Sequence, residues 1–201
     1  MLLLEQVLKK APNNKSRRNN LQQRLSMHKT LSFIDIETTG LDPNKHEIIE
    51  IAVISCTPEG VTSTWECKVA PKRIDLAHPK ALEINQYCEE DWVGAKDIEE
   101  IIPTLVALLQ DSTPVAHNAS FDKSFIEKAV LGHKIPHHWV DTVSLAHVAF
   151  PDAKRYSLSY LCSKLGISNE GAHTALADAE RCRLLYERIQ DTMDLVSTEE
   201  E

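Results

Sequence analysis

The 201-residue sequence predicts an α/β domain in three layers, a mixed sheet of five strands flanked by helices. Three observations predict it. The first part of the body reads as strands separated by turns. The remainder alternates short apolar strands with segments of helical period. No internal repeat and no second compositional region marks another domain.

Lys29 to Glu37 is the first strand, stopped by Thr38-Thr39-Gly40, and Asp42-Pro43-Asn44 turns the chain. Glu47 to Cys56 is almost continuously apolar, the pattern of a central strand covered on both faces. Thr57-Pro58-Glu59-Gly60 is a turn. Val61 to Val69 alternates: Val61, Trp65, Cys67 and Val69 share one face, and Thr62, Thr64, Glu66 and Lys68 the other. That half-exposed strand closes an antiparallel meander. A short helix is expected around Pro79 to Tyr87. Ile98, Ile101, Ile102, Leu105, Val106 and Leu109 then recur at helical spacing behind a capping-box-like Asp97 and Glu100. Pro103 inside this pattern leaves two readings, a kinked helix or one that begins there.

Thr113 to His117 is a short strand. A helix opens in His117-Asn118-Ala119-Ser120-Phe121-Asp122 and runs to about Leu131. Val140 ends a short extended piece, and Asp141 caps a helix that stops before Pro151. Ser157 caps another, with Leu158, Leu161, Cys162 and Leu165 inward and Gly166 as its stop. The last helix runs from near Thr174 to about Gln190. Ala175, Ala177 and Ala179 keep its first turns thin enough to approach a sheet closely.

Composition bounds the function. No apolar run reaches the ~20 residues of a membrane helix, so no membrane association is expected. Five cysteines without C-x-x-C spacing read as reduced thiols of a cytoplasmic protein, not as a disulfide frame or a zinc site. The net charge of −8 is unevenly spread. Residues 1–30 carry seven basic residues against one acid, a local +6 that leaves −14 for the rest. An acidic body is a poor general binder of nucleic acid, but it leaves room for a small site where metal ions meet phosphate. The expected organisation is a basic, flexible arm over residues 1–28, a domain over 29–190, and an acidic tail over 191–201.

The chemistry concentrates in Phe33-Ile34-Asp35-Ile36-Glu37-Thr38-Thr39-Gly40. Strand alternation points Ile34 and Ile36 one way and Asp35 and Glu37 the other. Two adjacent carboxylates repel, and burying them unpaired is costly. A hard divalent cation such as magnesium removes both problems. Two further acids stand out. Asp122 lies in the first turn of its helix, where an acid is also favoured by the dipole alone. Asp178 lies one turn into the last helix among alanines, with His173 five residues earlier in the loop that feeds it.

The motifs F-I-D-I-E-T-T-G, H-N-A-S-F-D and H-T-A-L-A-D, in that order, resemble the three exonuclease motifs of the DnaQ-like, or DEDDh, 3′–5′ exonuclease superfamily. The resemblance spans about residues 30–190, and D-T-V-S-L-A and S-L-S-Y-L-C-S-K-L-G-I also look like the family. It implies the ribonuclease H-like fold. It implies that Asp35, Glu37, Asp122 and Asp178 bind two divalent ions, Mg2+ or Mn2+, with Asp35 bridging and Glu37 and Asp178 on the nucleophile side. His173 would be the general base, working as a neutral imidazole. Two ions ~3.5–4 Å apart can clamp the attacking and leaving oxygens of an in-line phosphoryl displacement. The implied products are nucleoside 5′-monophosphates. Thr38, Thr39 and Leu41 match positions that grip and wedge the terminal nucleotide, with His117, Asn118 and Phe121 lining the same cleft. One departure is that Asn85-Gln86 stand where the family often carries His-Gly. At the C-terminal end, Gln190-Asp191-Thr192-Met193-Asp194-Leu195 resembles the Q-x-x-M-x-[FL] pattern by which the polymerase III epsilon subunit binds the sliding clamp.

The expected activity is therefore 3′–5′ hydrolysis of single-stranded DNA, in proofreading or repair, with a DNA polymerase or sliding clamp as partner. The rival within the enzyme class is an exoribonuclease, distinguished by tolerance of the 2′-hydroxyl. The rival from another class is a non-catalytic nucleic-acid or polymerase-binding module. A missing carboxylate or histidine would favour that module, and all five residues are present.

Overall fold

The computed structural model describes residues 30–198. The basic arm expected over residues 1–28 and the terminal Glu199-Glu200-Glu201 lie outside the described residues. Three strands come first: β1 (Leu31–Thr38), β2 (Ile48–Thr57) and β3 (Gly60–Lys68). Then follow α1 (Pro79–Ile84), α2 (Ile98–Leu109), β4 (Thr113–Ala116) and α3 (Ala119–Ala129). The chain continues through β5 (Val140–Asp141), α4 (Thr142–Ala149), α5 (Leu158–Leu165) and α6 (Ala175–Thr198). The strands form one mixed sheet in the order β3-β2-β1-β4-β5. The meander is antiparallel, whereas β4 and β5 add parallel to it. This is the mixed five-stranded sheet that the sequence predicts, and it agrees with the ribonuclease H-like fold that the resemblance implies.

Strand alternation divides the core into two faces. Ile34, Ile36, Ile51 and Val53 pack against Ile101, Leu105 and Leu109 of α2 and Phe125 and Ile126 of α3. Phe33, Ala52, Ile54 and Val115 pack on the other side, against α4, α5 and the Ala175, Ala179, Cys182, Leu185 and Ile189 stripe of α6. β1 sits in the middle, so its acids project toward α6 between two buried layers. The β1–β2 register slips between Glu37 and Thr38, which pair with Glu50 and Ile48. A ladder irregularity beside an acid pair re-aims the strand end where the site lies.

Several boundaries differ from expectation. α2 begins at Ile98 with the Asp97–Glu100 capping box formed, so Pro103 is interior. The proline removes the amide that would bond the Glu99 carbonyl, and Glu99 is exposed, so water can serve that oxygen. Ser157 starts α5 through its carbonyl, which accepts from Leu161 N, and not through a hydroxyl cap. Gly166 closes that helix at φ +72°, as expected. α1 stops at Ile84, because Gln86 takes a positive φ of 50°. α6 runs to Thr198 rather than ending near Gln190, and the expected tail is helical at its start. Its apolar stripe continues with buried Thr192 and Met193. Among the described residues, no helix is long and apolar enough to cross a membrane.

Candidate active site

The end of β1 is held from several sides. Thr39 N donates to Glu47 O, and Glu47 N donates to Thr39 Oγ1, both at 2.9 Å. The Thr38 hydroxyl donates to Gly40 O at 2.7 Å. The two threonine carbonyls accept from outside the strand: Thr38 O from Asn85 Nδ2 at 2.9 Å, and Thr39 O from His78 N at 2.8 Å. Both threonines are buried, and their polar groups serve this framework. A side chain at Gly40 would place its Cβ 2.5 Å from the His46 ring, whose Nδ1 accepts from Asp42 N. Beyond this knot, Leu41 is 81% exposed.

From this strand end Asp35 and Glu37 meet Asp178 of α6. One oxygen from each lies within 4.8 Å of the others. Asp122, buried in the first turn of α3, joins from the opposite layer. Its Oδ1 accepts from the backbone amide of Ile36, between the two β1 acids, at 3.2 Å. Asp122 stands outside the three-oxygen group but raises the proton affinity of both Asp35 and Glu37. Burial is the main cause in all three. It pushes Asp35 well above the usual carboxylate range, with Asp122 and Glu37 adding to it. Glu37 is pushed up to about 7 by burial, then by Glu50 and Asp122. Asp122 is raised by burial against the pull of its backbone hydrogen bonds. Crowded, half-buried carboxylates with oxygen donors only are the donor set for a hard divalent cation. The residues present fit such an ion.

His173 lies on the exposed turn before α6, at φ +71°. That conformation is uncommon for a non-glycine residue. His117 is differently placed. Its Nε2–H donates to Tyr156 O at 2.8 Å, and Nδ1 lies 2.9 Å from the Thr142 hydroxyl. Burial lowers its proton affinity, so the ring is neutral and its nitrogens are committed to the fold. Asn118 takes a left-handed conformation (φ 64°, ψ 53°) at the start of α3 and accepts from the Ser120 hydroxyl. Phe121 is half-buried against Phe125, with ring centroids 5.1 Å apart, at the margin of the core.

Three further residues shape the site; the sequence shows Asp141 only as a helix cap and misses Glu50 and Arg181. Glu50 sits directly across from Glu37, and its Oε2 lies 3.5 Å from Ala175 N at the start of α6. Asp141 accepts through Oδ1 from Asn118 N, Ala119 N and Val143 N, so one carboxylate starts both α3 and α4. Arg181 is buried beside Asp178 and pairs with it. Only antiparallel register could have flagged Glu50. An Asp-x-x-Arg spacing on a helix reads by default as a surface ion pair.

The exonuclease family model RNase_T matches residues 32–186. The chain belongs to the DnaQ-like, or DEDDh, exonuclease family. The DEDDh exonuclease is 30% identical to the DNA polymerase III subunit epsilon of Treponema pallidum over 168 residues, covering 79% of this chain and 75% of the relative. It is 33% identical over 167 residues to the PolC-type DNA polymerase III of Thermotoga maritima. That match takes in 82% of this chain but spans only 12% of the polymerase. Among solved structures it resembles Exonuclease X in complex with 5′ overhanging duplex DNA, at TM-score 0.66 and 28% identity, covering 81% of this chain and 92% of the other. The nuclease domain of 3′hExo, a DEDDh family member bound to rAMP, shares the fold at TM-score 0.69 and 17% identity, covering 83% and 94%. The chain thus carries an exonuclease domain of this family, with an acidic cluster suited to divalent metal.

Proposed function

We propose that this exonuclease removes nucleotides from the 3′ end of single-stranded DNA by two-metal-ion catalysis, in proofreading or repair. The observation that carries the reading is the convergence of Asp35, Glu37 and Asp178 within 4.8 Å, with Asp122 bonded to the backbone between the first two. These four carboxylates would hold two Mg2+ or Mn2+ ions, which supply charge neutralisation and a clamp on the oxygens of the scissile phosphate. The chain's own groups do the rest. His173, exposed on its turn, takes the proton of the attacking water. Leu41 offers an apolar edge against the terminal base. Thr38 and Thr39 form the rigid floor, because their polar groups are tied to the framework. His117 and Asn118 hold the turn that aims Asp122, and Phe121 backs it.

DNA is favoured because DNA polymerase III proteins are among the relatives matched in sequence, and Exonuclease X is in complex with DNA. The same relatives support a polymerase as partner and cytoplasmic action. The clamp-binding reading of Gln190 to Leu195 is poorly supported, because Met193 packs in the core face of α6. A peptide of residues 187–198 should show no clamp binding at high micromolar concentration.

The test uses matched 5′-labelled DNA and RNA oligonucleotides with magnesium, manganese or chelator. The expected outcome is a metal-dependent ladder shortening from the 3′ end, faster on DNA and absent in Asp35→Ala. Faster shortening of RNA would make the enzyme an exoribonuclease. No shortening and no metal binding by folded protein would leave a non-catalytic module.

A further inference from the structure

Arg181 is an odd residue to find on the inner face of α6. An Asp-x-x-Arg pair on an exposed helix is a weak, solvated contact. Here the arginine is 3% exposed and the Asp178 side chain 14%. A guanidinium so deeply placed has lost its hydration, and only strong opposing charge keeps it there. Its hydrogen bonding is incomplete, since Nε is buried with no partner. The side chain is therefore positioned by charge more than by saturation of its donors. That charge is the carboxylate cluster: Arg181 counters the upward push on both Asp35 and Glu37.

The other end of the fork matters equally. Nη2 pairs with Asp178 Oδ1, while Nη1 donates to Asn169 Oδ1 at 2.6 Å and lies 3.4 Å from the Ser159 hydroxyl. Asn169 is itself clamped, its Nδ2 donating to Ser163 Oγ at 2.7 Å and to Ser159 O at 3.2 Å on α5. Asn169 stands in the loop between α5 and α6, four residues before His173. One planar cation thus joins a carboxylate of the metal cluster to the loop that carries the candidate base.

We propose that Arg181 is a positioning residue with two linked tasks: it supplies the positive charge beside Asp178 when no metal is bound, and through Asn169 it sets the loop that presents His173. The proposal rests on the site assignment above. A cation entering the cluster competes with the guanidinium for Asp178. Removing Arg181 therefore destabilises the metal-free protein more than the metal-loaded one, and by the thermodynamic cycle metal binding must tighten. Turnover falls at the same time, because the loop loses its tie. A merely structural arginine would weaken both together.

The full chain is titrated with Mn2+ by calorimetry, melted with and without chelator, and assayed on a single-stranded DNA oligonucleotide. Arg181→Met should bind Mn2+ roughly tenfold tighter, the scale of removing one nearby charge from a half-buried site. Its kcat should fall about tenfold with KM little changed, as expected for a misplaced catalytic group. Arg181→Lys keeps the charge but cannot bridge two acceptors with a fork, so Mn2+ affinity should stay near wild type while kcat remains low. Asn169→Ala, at a half-exposed position that cannot threaten folding seriously, should lower kcat and leave Mn2+ affinity unchanged. Unchanged or weaker Mn2+ binding in Arg181→Met overturns the charge role. Wild-type kcat in Asn169→Ala overturns the tether. If the wild-type chain cuts no oligonucleotide, the exonuclease reading fails, yet the Mn2+ titrations still decide the charge role by themselves.

Discussion

Asp35 sits at a point of crowding, half-buried and facing Asp122, Glu37 and Glu50, with Arg181 relieving it. A carboxylate held this way is a cost to the metal-free fold, which a bound cation would offset. Asp35→Asn removes the charge with little change of shape. It should abolish metal-dependent cleavage, yet raise the melting temperature of the chelated protein by about 2–4 °C for each kcal/mol of repulsion relieved. Full activity in Asp35→Asn would remove it from the site. His173 is the opposite case, exposed and outside the oxygen cluster. His173→Ala should lower kcat by about 10²-fold or more, the usual worth of a general base, with Mn2+ affinity unchanged. A collapse of Mn2+ affinity in calorimetry would make His173 a ligand instead. Gly40 is a steric requirement, not a flexible hinge, because a Cβ there meets the His46 ring. Gly40→Ala should therefore unseat His46 from Asp42 N and impair binding of the terminal nucleotide.

At the level of elements, Asp141 is the junction between the two parallel strands and the helices that follow them. It accepts from Asn118 N, Ala119 N and Val143 N, and from the Ser144 hydroxyl. Asp141→Ala leaves these donors to water or to nothing, at about 1–3 kcal/mol. Thermal unfolding should show a loss of several degrees, and cleavage should fall too, because α3 carries Asp122. Asp141→Asn, which keeps one acceptor oxygen, should recover most of both. An unaltered melting curve for Asp141→Ala would mean that the turns hold without it. The sequence shows Asp141 only as the cap of α4, since a cap is local and the link to Asn118 is not. The same distinction separates what was legible elsewhere. The strands, the Asp97–Glu100 box and the Gly166 stop follow from period and capping chemistry within a few residues. The β1 acids and Asp178 are legible because an acid on an apolar or alanine-rich face is locally anomalous. Arg181 and Glu50 look ordinary in place, and only sheet register and helix packing bring them to the cluster. The end of α6 differs from the expected stop because the acids at Asp191 and Asp194 resemble a tail, whereas Thr192 and Met193 between them are buried.

For the whole molecule, the cluster couples stability to pH and metal together. Glu37 titrates ordinarily near 4.5 and is pushed up to about 7 in the folded protein, chiefly by burial. Asp35 and Asp122 move in the same direction. Between about pH 4.5 and 7 the folded chain therefore keeps protons that the unfolded chain has released. Stability from these groups is complete below that window and is lost as pH rises through it. That is the reverse of a carboxylate held by a salt bridge. At about 1.4 kcal/mol per unit, Glu37 alone accounts for at most about 3.5 kcal/mol across the window. Melted in the presence of chelator, the protein should lose on the order of 10 °C in passing from about pH 5 to about pH 7.5. Saturating Mn2+ should abolish this loss, because binding ionised carboxylates favours the form that high pH produces. The metal-induced gain in melting temperature should thus be small in acid and large at neutral pH. A chelated protein whose melting temperature holds level or rises across the window would show that the carboxylates are already compensated without metal. In that event their crowding would not be what makes the folded chain seek a cation.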